Sequence, residues 1–279
     1  MRLRNLFVLV LGFVLPLLAV SARAETGTIL GSTLSTFAVF AGQTVTNTGP
    51  TTIVGDLGIN PGSSYTGSGS VTQTGAVHID DGTSLNALND LITAKATLSG
   101  MPTTTDLTGK DLGGLVLAPG VYFFSSSAQL TGTLTLVNPS NLSNPTWVFN
   151  IGSTLTTASG SRVFLPAGSG EGVYWNVGSS ATIGTGSAFE GNITALTSIT
   201  MTTGATDTCG GLYAQNAAVT LDTNTISKGC AGTGGGGGGV PPGSAVPEPG
   251  TLALLSSGLL AMVFLTFCKS RVSSLRLSC

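Results

Sequence analysis

Charge is what this chain most conspicuously lacks. Only 8% of its 279 residues are Asp, Glu, Lys or Arg, a single residue is His, and aromatics supply 6%. A soluble helical protein needs Glu, Lys, Arg and Ala on its helix surfaces, so that class is excluded. Nucleic-acid binding is excluded as well, because it needs a basic face. Six of the ten cations (Arg2, Arg4, Arg23, Lys269, Arg271, Arg276) lie in the two ends, whereas the 12 acids run from Glu25 to Glu248; between the ends four cations face 12 carboxylates, a net of −8. Acidic lattices, membranes and phosphates are poor partners for such a body. Disorder is disfavoured by the supply of Val, Ile and Thr. What the chain has in quantity is Gly and Thr, 41 of each. Together these predict an all-β chain with a hydroxyl-rich, nearly uncharged surface.

The ends read as address labels. Residues 1–24 carry Arg2 and Arg4, an apolar run from Leu6 to Val20, and the small-x-small triplet Ala22-Arg23-Ala24, the pattern of a cleaved signal peptide. At the other end a Gly/Pro linker, 229–246, precedes Pro247-Glu248-Pro249, an apolar stretch 251–268 of marginal spanning length, and the basic Lys269, Arg271 and Arg276. This tripartite tail, 247–279, resembles the PEP-CTERM sorting signal of Gram-negative bacteria that make exopolysaccharide. The resemblance implies an exosortase-type processing enzyme as partner, transient membrane anchoring through 251–268, and a passenger at the cell surface or outside. Cys268 and Cys279 belong to the tail. Cys209 and Cys230 remain in the exported part, where a bridge worth roughly 3 kcal/mol can form and two free thiols are the alternative.

The passenger, 25–228, repeats itself between about Val148 and Thr225. Leu155-Thr156-Thr157, Ala181-Thr182-Ile183, Ile199-Thr200-Met201 and Val219-Thr220-Leu221 align, each followed by a Gly- or Asn-containing turn at 160, 186, 204 or 224. Apolar residues alternate with Thr, which marks strands with one buried and one wet face. A β-solenoid stacks equivalent strands about 4.8 Å apart and so explains why equivalent residues recur. A β-sandwich also has many short strands but requires no such columns. One segment breaks the pattern: Leu85, Leu88, Leu91, Ile92 and Leu98 recur at helical spacing, which predicts a helix over about 82–99, with Asp81 or Thr83 as N-cap and Gly100 and Pro102 as the stop. Its leucine stripe is expected to pack on one flank of the stack.

No catalytic constellation emerges. His78 stands alone, Asp80 and Asp81 fall where a helix must be capped, and Asp106 and Asp111 flank a turn. No Cys/His cluster suggests a metal, and no cofactor is implied. The hydroxyls are more informative. Thr156, Thr182, Thr200 and Thr220 form one outward column. Ser159, Thr185, Thr203 and Thr223, reinforced by Thr206 and Thr225, form a second, either at a corner near Gly184 or partly buried. Methyls that exclude water beside hydroxyls that anchor it present a surface complementary to ice. Neutral polysaccharide competes as ligand, but sugar sites favour aromatic platforms and Trp147 and Trp175 are the only tryptophans.

At Phe37-Ala38-Val39-Phe40-Ala41-Gly42, Thr44-Val45-Thr46-Asn47-Thr48-Gly49-Pro50-Thr51, Gly55-Asp56-Leu57-Gly58-Ile59-Asn60-Pro61-Gly62, Pro119-Gly120-Val121-Tyr122 and Trp147-Val148-Phe149-Asn150-Ile151-Gly152-Ser153, the chain resembles the DUF3494 ice-binding proteins. The resemblance covers Ile29 to Lys228. It implies a discontinuous right-handed β-helix of triangular section with one long α-helix alongside, and a flat ice-binding face. A Thr-Ala/Gly-x-Thr/Asn motif of some members matches Thr194-Ala195-Leu196-Thr197 and Thr203-Gly204-Ala205-Thr206, while Thr185-Gly186-Ser187-Ala188 departs from it. The expected function is an exported, non-enzymatic ice binder that restrains ice growth and recrystallisation. A structural or adhesive role in the exopolysaccharide matrix is the alternative.

Overall fold

The structure, a computed structural model, describes residues 28–165 and 172–229. The leader 1–24, Cys230, most of the linker and the sorting tail with its 251–268 span lie outside the described residues. Among the described residues no helix is long and apolar enough to cross a membrane.

The strands pair in parallel, in a seven-stranded and a 15-stranded sheet. The chain visits them in circuits. Trp147–Ile151 lies in the large sheet, Leu155–Thr157 in the small one, and Arg162–Phe164 is back in the large one. The next circuit repeats this with Val173–Val177, Ala181–Ile183 and the first half of Ala188–Ala195. The small sheet runs in the spatial order Ala128–Leu130, Leu155–Thr157, Ala181–Ile183, Ile199–Met201, Val219–Asp222, Thr44–Thr48, Ser64–Thr66. Its last two members come from the N-terminus, so the stack is discontinuous in sequence.

The helix accounts for that discontinuity. Strands 37–79 build one end of the stack, and the chain must then reach the far end, where Thr105–Asp106 starts the remaining circuits. An 18-residue helix, Gly82–Ser99, covers about 27 Å of that return in a form that satisfies its own backbone. Asp81 caps it: its carboxylate accepts from Ser84 N–H at 2.7 Å, while Ser84 Oγ accepts from Asp81 N–H at 2.9 Å. The expected leucine stripe needs correction. The buried positions are Ser84, Ala87, Leu91, Ala94 and Leu98, whereas Leu85 and Ile92 are 49% and 46% exposed. Small alanines let the helix axis approach the sheet, where Ala87, Leu91 and Ala94 share a buried cluster with Leu30, Leu34, Phe37, Phe40 and Tyr213. Farther along, Lys95 Nζ donates to Asn176 Oδ1, Val177 O and Thr194 O at 2.9–3.0 Å. Asn150 Nδ2 donates to Leu98 O at 2.8 Å.

Inside the stack, equivalent residues form columns. Tyr122, Phe149, Trp175, Ile193, Leu212, Val39 and Leu57 are successive Cα partners and are all buried. The Phe149 and Trp175 rings stack at 4.0 Å. Both tryptophans are therefore core residues, and neither is a surface platform. Two long strands, Ala188–Ala195 and Thr206–Ala214, change direction at Gly191 (φ +111°) and Cys209 (φ +56°), dividing the large sheet into a helix-covered face and an open face. A Cβ on Gly191 would come within 2.7 Å of Val173 Cβ, so close stacking as well as backbone conformation requires glycine there.

Candidate functional site

The seven-stranded sheet carries a hydroxyl-rich face; among the described residues Asp222, at the end of one strand, is the one charged residue within its strands. Along four of its strands a threonine points outward between two inward residues: Thr156 between Leu155 and Thr157, Thr182 between Ala181 and Ile183, Thr200 between Ile199 and Met201, Thr220 between Val219 and Leu221. Parallel pairing places these four threonines in register, and the column continues through Thr46 to Thr66 at one end and Gln129 at the other. Thr156, Thr66 and Gln129 are exposed and the other four threonines half-buried. None of these six threonine hydroxyls has a hydrogen-bond partner among the described residues. The flanking hydroxyls, by contrast, bond one another: Thr154 Oγ1 to Ser127 Oγ at 2.8 Å, Ser198 Oγ to Ser180 Oγ at 3.0 Å.

The second predicted set is divided. Ser159, Thr185, Thr203 and Thr223 lie in the turns that leave the small sheet, and all four are exposed, so the corner alternative holds and the burial alternative does not. Gly160, Gly186 and Gly204 take φ of +65° to +70° there. In the fourth circuit the prediction fails by one residue. Thr223 itself adopts φ +57°, and Asn224 is 2% exposed with its amide donating to Thr202 O and Ala205 O at 2.9 Å, pinning the corner from inside. Thr203 Oγ1 donates to the Asp222 carboxylate, which also accepts from Thr223 Oγ1 at 3.1 Å. Thr206 and Thr225 do not reinforce this column. They are Cα partners in the 15-stranded sheet, on the open face beyond the corner. Thr194, of the first Thr-Ala-x-Thr match, is 0% exposed beneath the helix, where its carbonyl accepts from Lys95.

Thr46 and Thr66 are the residues that sequence reasoning overlooked. The segment Val45-Thr46-Asn47-Thr48-Gly49 repeats the apolar-Thr-inward order of the later circuits and reaches its turn glycine one residue sooner, with Asn47 5% exposed and Gly49 at φ +72°. Its shorter turn and its separation from Thr220 in sequence hid the match.

The scattered ionisable groups serve local structure. His78 Nδ1 lies 2.8 Å from Asp81 Oδ2, and its ring packs 5.6 Å from that of Phe37. The Ser84 N–H bond, with His78 second, holds the Asp81 carboxyl down at about 2. Asp106 is lowered by the hydroxyl and N–H of Thr108 in a side-chain-closed turn. Burial pushes Asp111 up, but N–H bonds from Thr131 and Gly113 outweigh it and leave the carboxyl lowered.

Comparison with known proteins shows relatives of this fold. A family model described as Ice-binding-like matches residues 39–227. An ice-binding protein of Nostoc sp. (strain HG1) is 48% identical over 245 residues, covering 87% of this chain and 88% of the relative. One from Colwellia sp. is 36% identical over 124 residues, 44% of this chain and 47% of that protein. The crystal structure of the ice-binding protein from the Antarctic ascomycete Antarctomyces psychrotrophicus superposes with a TM-score of 0.68 at 41% identity, covering 72% of this chain and 98% of that one. The chain belongs to the Ice-binding-like family.

Proposed function

We propose that this chain is an exported ice-binding protein that adsorbs to ice through the face of its seven-stranded sheet and restrains ice growth and recrystallisation without turnover. The observation that carries the proposal is the in-register column Thr156, Thr182, Thr200, Thr220, Thr46 and Thr66, whose hydroxyls are uncommitted to the protein. A charged side chain gathers water into a shell centred on itself. A threonine column instead offers a methyl and a hydroxyl at each strand spacing of about 4.8 Å, so bound water can repeat along the stack. Rigidity matters equally, because ordering the surface on contact would cost side-chain entropy. Here β-branching restricts each χ1 and the stacked core fixes each backbone.

The circuits and the helical return support a right-handed β-helix of triangular section for residues 25–228. On the sequence patterns, residues 1–24 direct export, and Pro247, Glu248 and Pro249 mark the tail for an exosortase-type enzyme, with 251–268 holding the chain in the membrane beforehand. The processed protein would then reside at the surface of a Gram-negative cell or outside it, in contact with exopolysaccharide. Cys209 is disulfide-bonded, and Cys230 is the partner we assign from sequence proximity.

Replacing Thr182, Thr200 and Thr220 together by Tyr should abolish thermal hysteresis and recrystallisation inhibition while leaving circular dichroism unchanged. A folded variant with full activity would remove the small sheet from the binding role.

A further inference from the structure

The open face of the large sheet carries a second ordered array. Thr206, Thr225, Thr52 and Thr72 are successive Cα partners, and two residues further along the same strands Thr208 pairs with Ser227. Residues i and i+2 share a face of a strand and lie about 6.6 Å apart, with strands about 4.8 Å apart, so these six positions form a two-row grid. Val54 pairs with Ser227 in the second row, and Thr74 follows Thr72 at the same interval. No charge stands among these eight positions. Beneath them Asp207, Ile226 and Ile53 are all 0% exposed, so the grid is backed by packed core. The hydroxyls of Thr206, Thr225, Thr52, Thr72 and Thr208 have no hydrogen-bond partner among the described residues.

The grid has a boundary and a neighbour. Continuing the same rows away from Thr206 and Thr208, Ala188 leads to Arg162 and Glu190 takes the second row, with the Arg162 guanidinium 4.6 Å over the Phe164 ring. Charge and an aromatic ring thus end the array on that side. Toward the small sheet the corner Thr203-Gly204-Ala205 joins Thr200 to Thr206, so hydroxyls pass from one face to the other without an intervening apolar strip.

Resting on the assignment of the small sheet as an ice face, we propose that this grid is a second ice-adsorbing surface, and that the molecule adsorbs in two orientations on differently inclined planes of ice. The occupant follows from the chemistry. An uncharged, two-dimensional lattice of hydroxyls and methyls on a rigid backing lacks cations for an anionic ligand and rings for a sugar. What it complements is an extended array of ordered water.

Adsorption of the fluorescently labelled protein to a single-crystal ice hemisphere tests this. The unaltered protein should illuminate two families of planes. The Thr182→Tyr/Thr200→Tyr/Thr220→Tyr variant should lose one family, and Thr72→Tyr/Thr225→Tyr the other, with at least a twofold fall in thermal hysteresis. The proposal is overturned if Thr72→Tyr/Thr225→Tyr leaves pattern and hysteresis unchanged, or if the triple variant already erases all illumination. Illumination of no plane by the unaltered protein would overturn the ice assignment itself. Thr225→Lys, which places one charge at an exposed grid position, reports on the same loss should the double tyrosine variant not fold.

Discussion

Lys95 shows how a single cation can be structural in a chain this poor in charge. An ammonium has three N–H donors, and here each meets an acceptor across the join between helix and stack: Asn176 Oδ1, Val177 O and Thr194 O. Burial lowers its pKa to about 8, so at neutral pH it still carries the charge that makes those bonds strong. Lys95→Met would remove three charge-assisted bonds, although Val177 O keeps the Leu196 N–H and Asn176 Oδ1 keeps the Thr194 hydroxyl as donors. At roughly 1 kcal/mol net for each bond lost, urea unfolding should show a loss of about 2–3 kcal/mol. Asn224 teaches a related point at the corner. In sequence it stands where the other circuits have their turn glycine, yet its side chain is an internal strut and the strained backbone falls on Thr223.

The helix is the element whose limits were most legible beforehand and whose packing was least so. Its bounds at Gly82 and Ser99 follow from a cap and a stop, both local features of the chain. Which stripe is buried depends on what the helix meets, and a sheet flank admits Ala87 and Ala94 where leucines would hold it off. The contrast is measurable. Leu91→Ala, at a fully buried site, should cost about 2–5 kcal/mol in chemical unfolding, whereas Leu85→Ala should change stability by about 0.5 kcal/mol or less. Equal effects at the two positions would mean that the helix sits in another rotation.

For the molecule as a whole, the few ionisable groups set an unusual pH profile. Burial raises Glu190 to about 7 against the opposing pull of Arg162, and it raises Asp207 well above 3.8 despite Lys228. The folded state therefore keeps protons that the unfolded chain releases, and stability falls as pH rises from about 4 to 7. Asp81 acts the other way: its carboxyl, held at about 2, contributes stability above 3.8 that is lost as pH falls toward 2. Lys95 and Lys228 are both lowered to about 8 by burial, so between 8 and 10.5 the unfolded chain holds more protons and stability rises with pH. The midpoint of thermal unfolding should fall as pH rises from 4.5 to 7 and rise again between 8 and 10.5. Glu190→Gln should make the limb from 4.5 to 7 shallower, with Asp207 supplying what remains, and leave the alkaline limb in place.

Sequence alone determined what is local. Alternation of Thr with apolar residues announced strands with one wet face, glycines announced corners, and Asp81 and Gly100 bracketed the helix, because strand period, turn conformation and capping each need only a few neighbouring residues. The four threonines at 156, 182, 200 and 220 came from a repeat close in sequence, and parallel stacking keeps them together. Tertiary structure decided membership of the faces. Thr46 and Thr66 join that column because the N-terminal circuits pack on the last one, a contact between residues about 170 positions apart that no local pattern encodes. Thr206 and Thr225 leave it because the corner intervenes, and Thr194 is lost beneath the helix. The backbone hydrogen bonds of parallel strands are the same whichever strands pair, so it is the fit of the side chains inside, aromatic column against aliphatic, that fixes the stacking order. That order in turn fixes which hydroxyls share a plane.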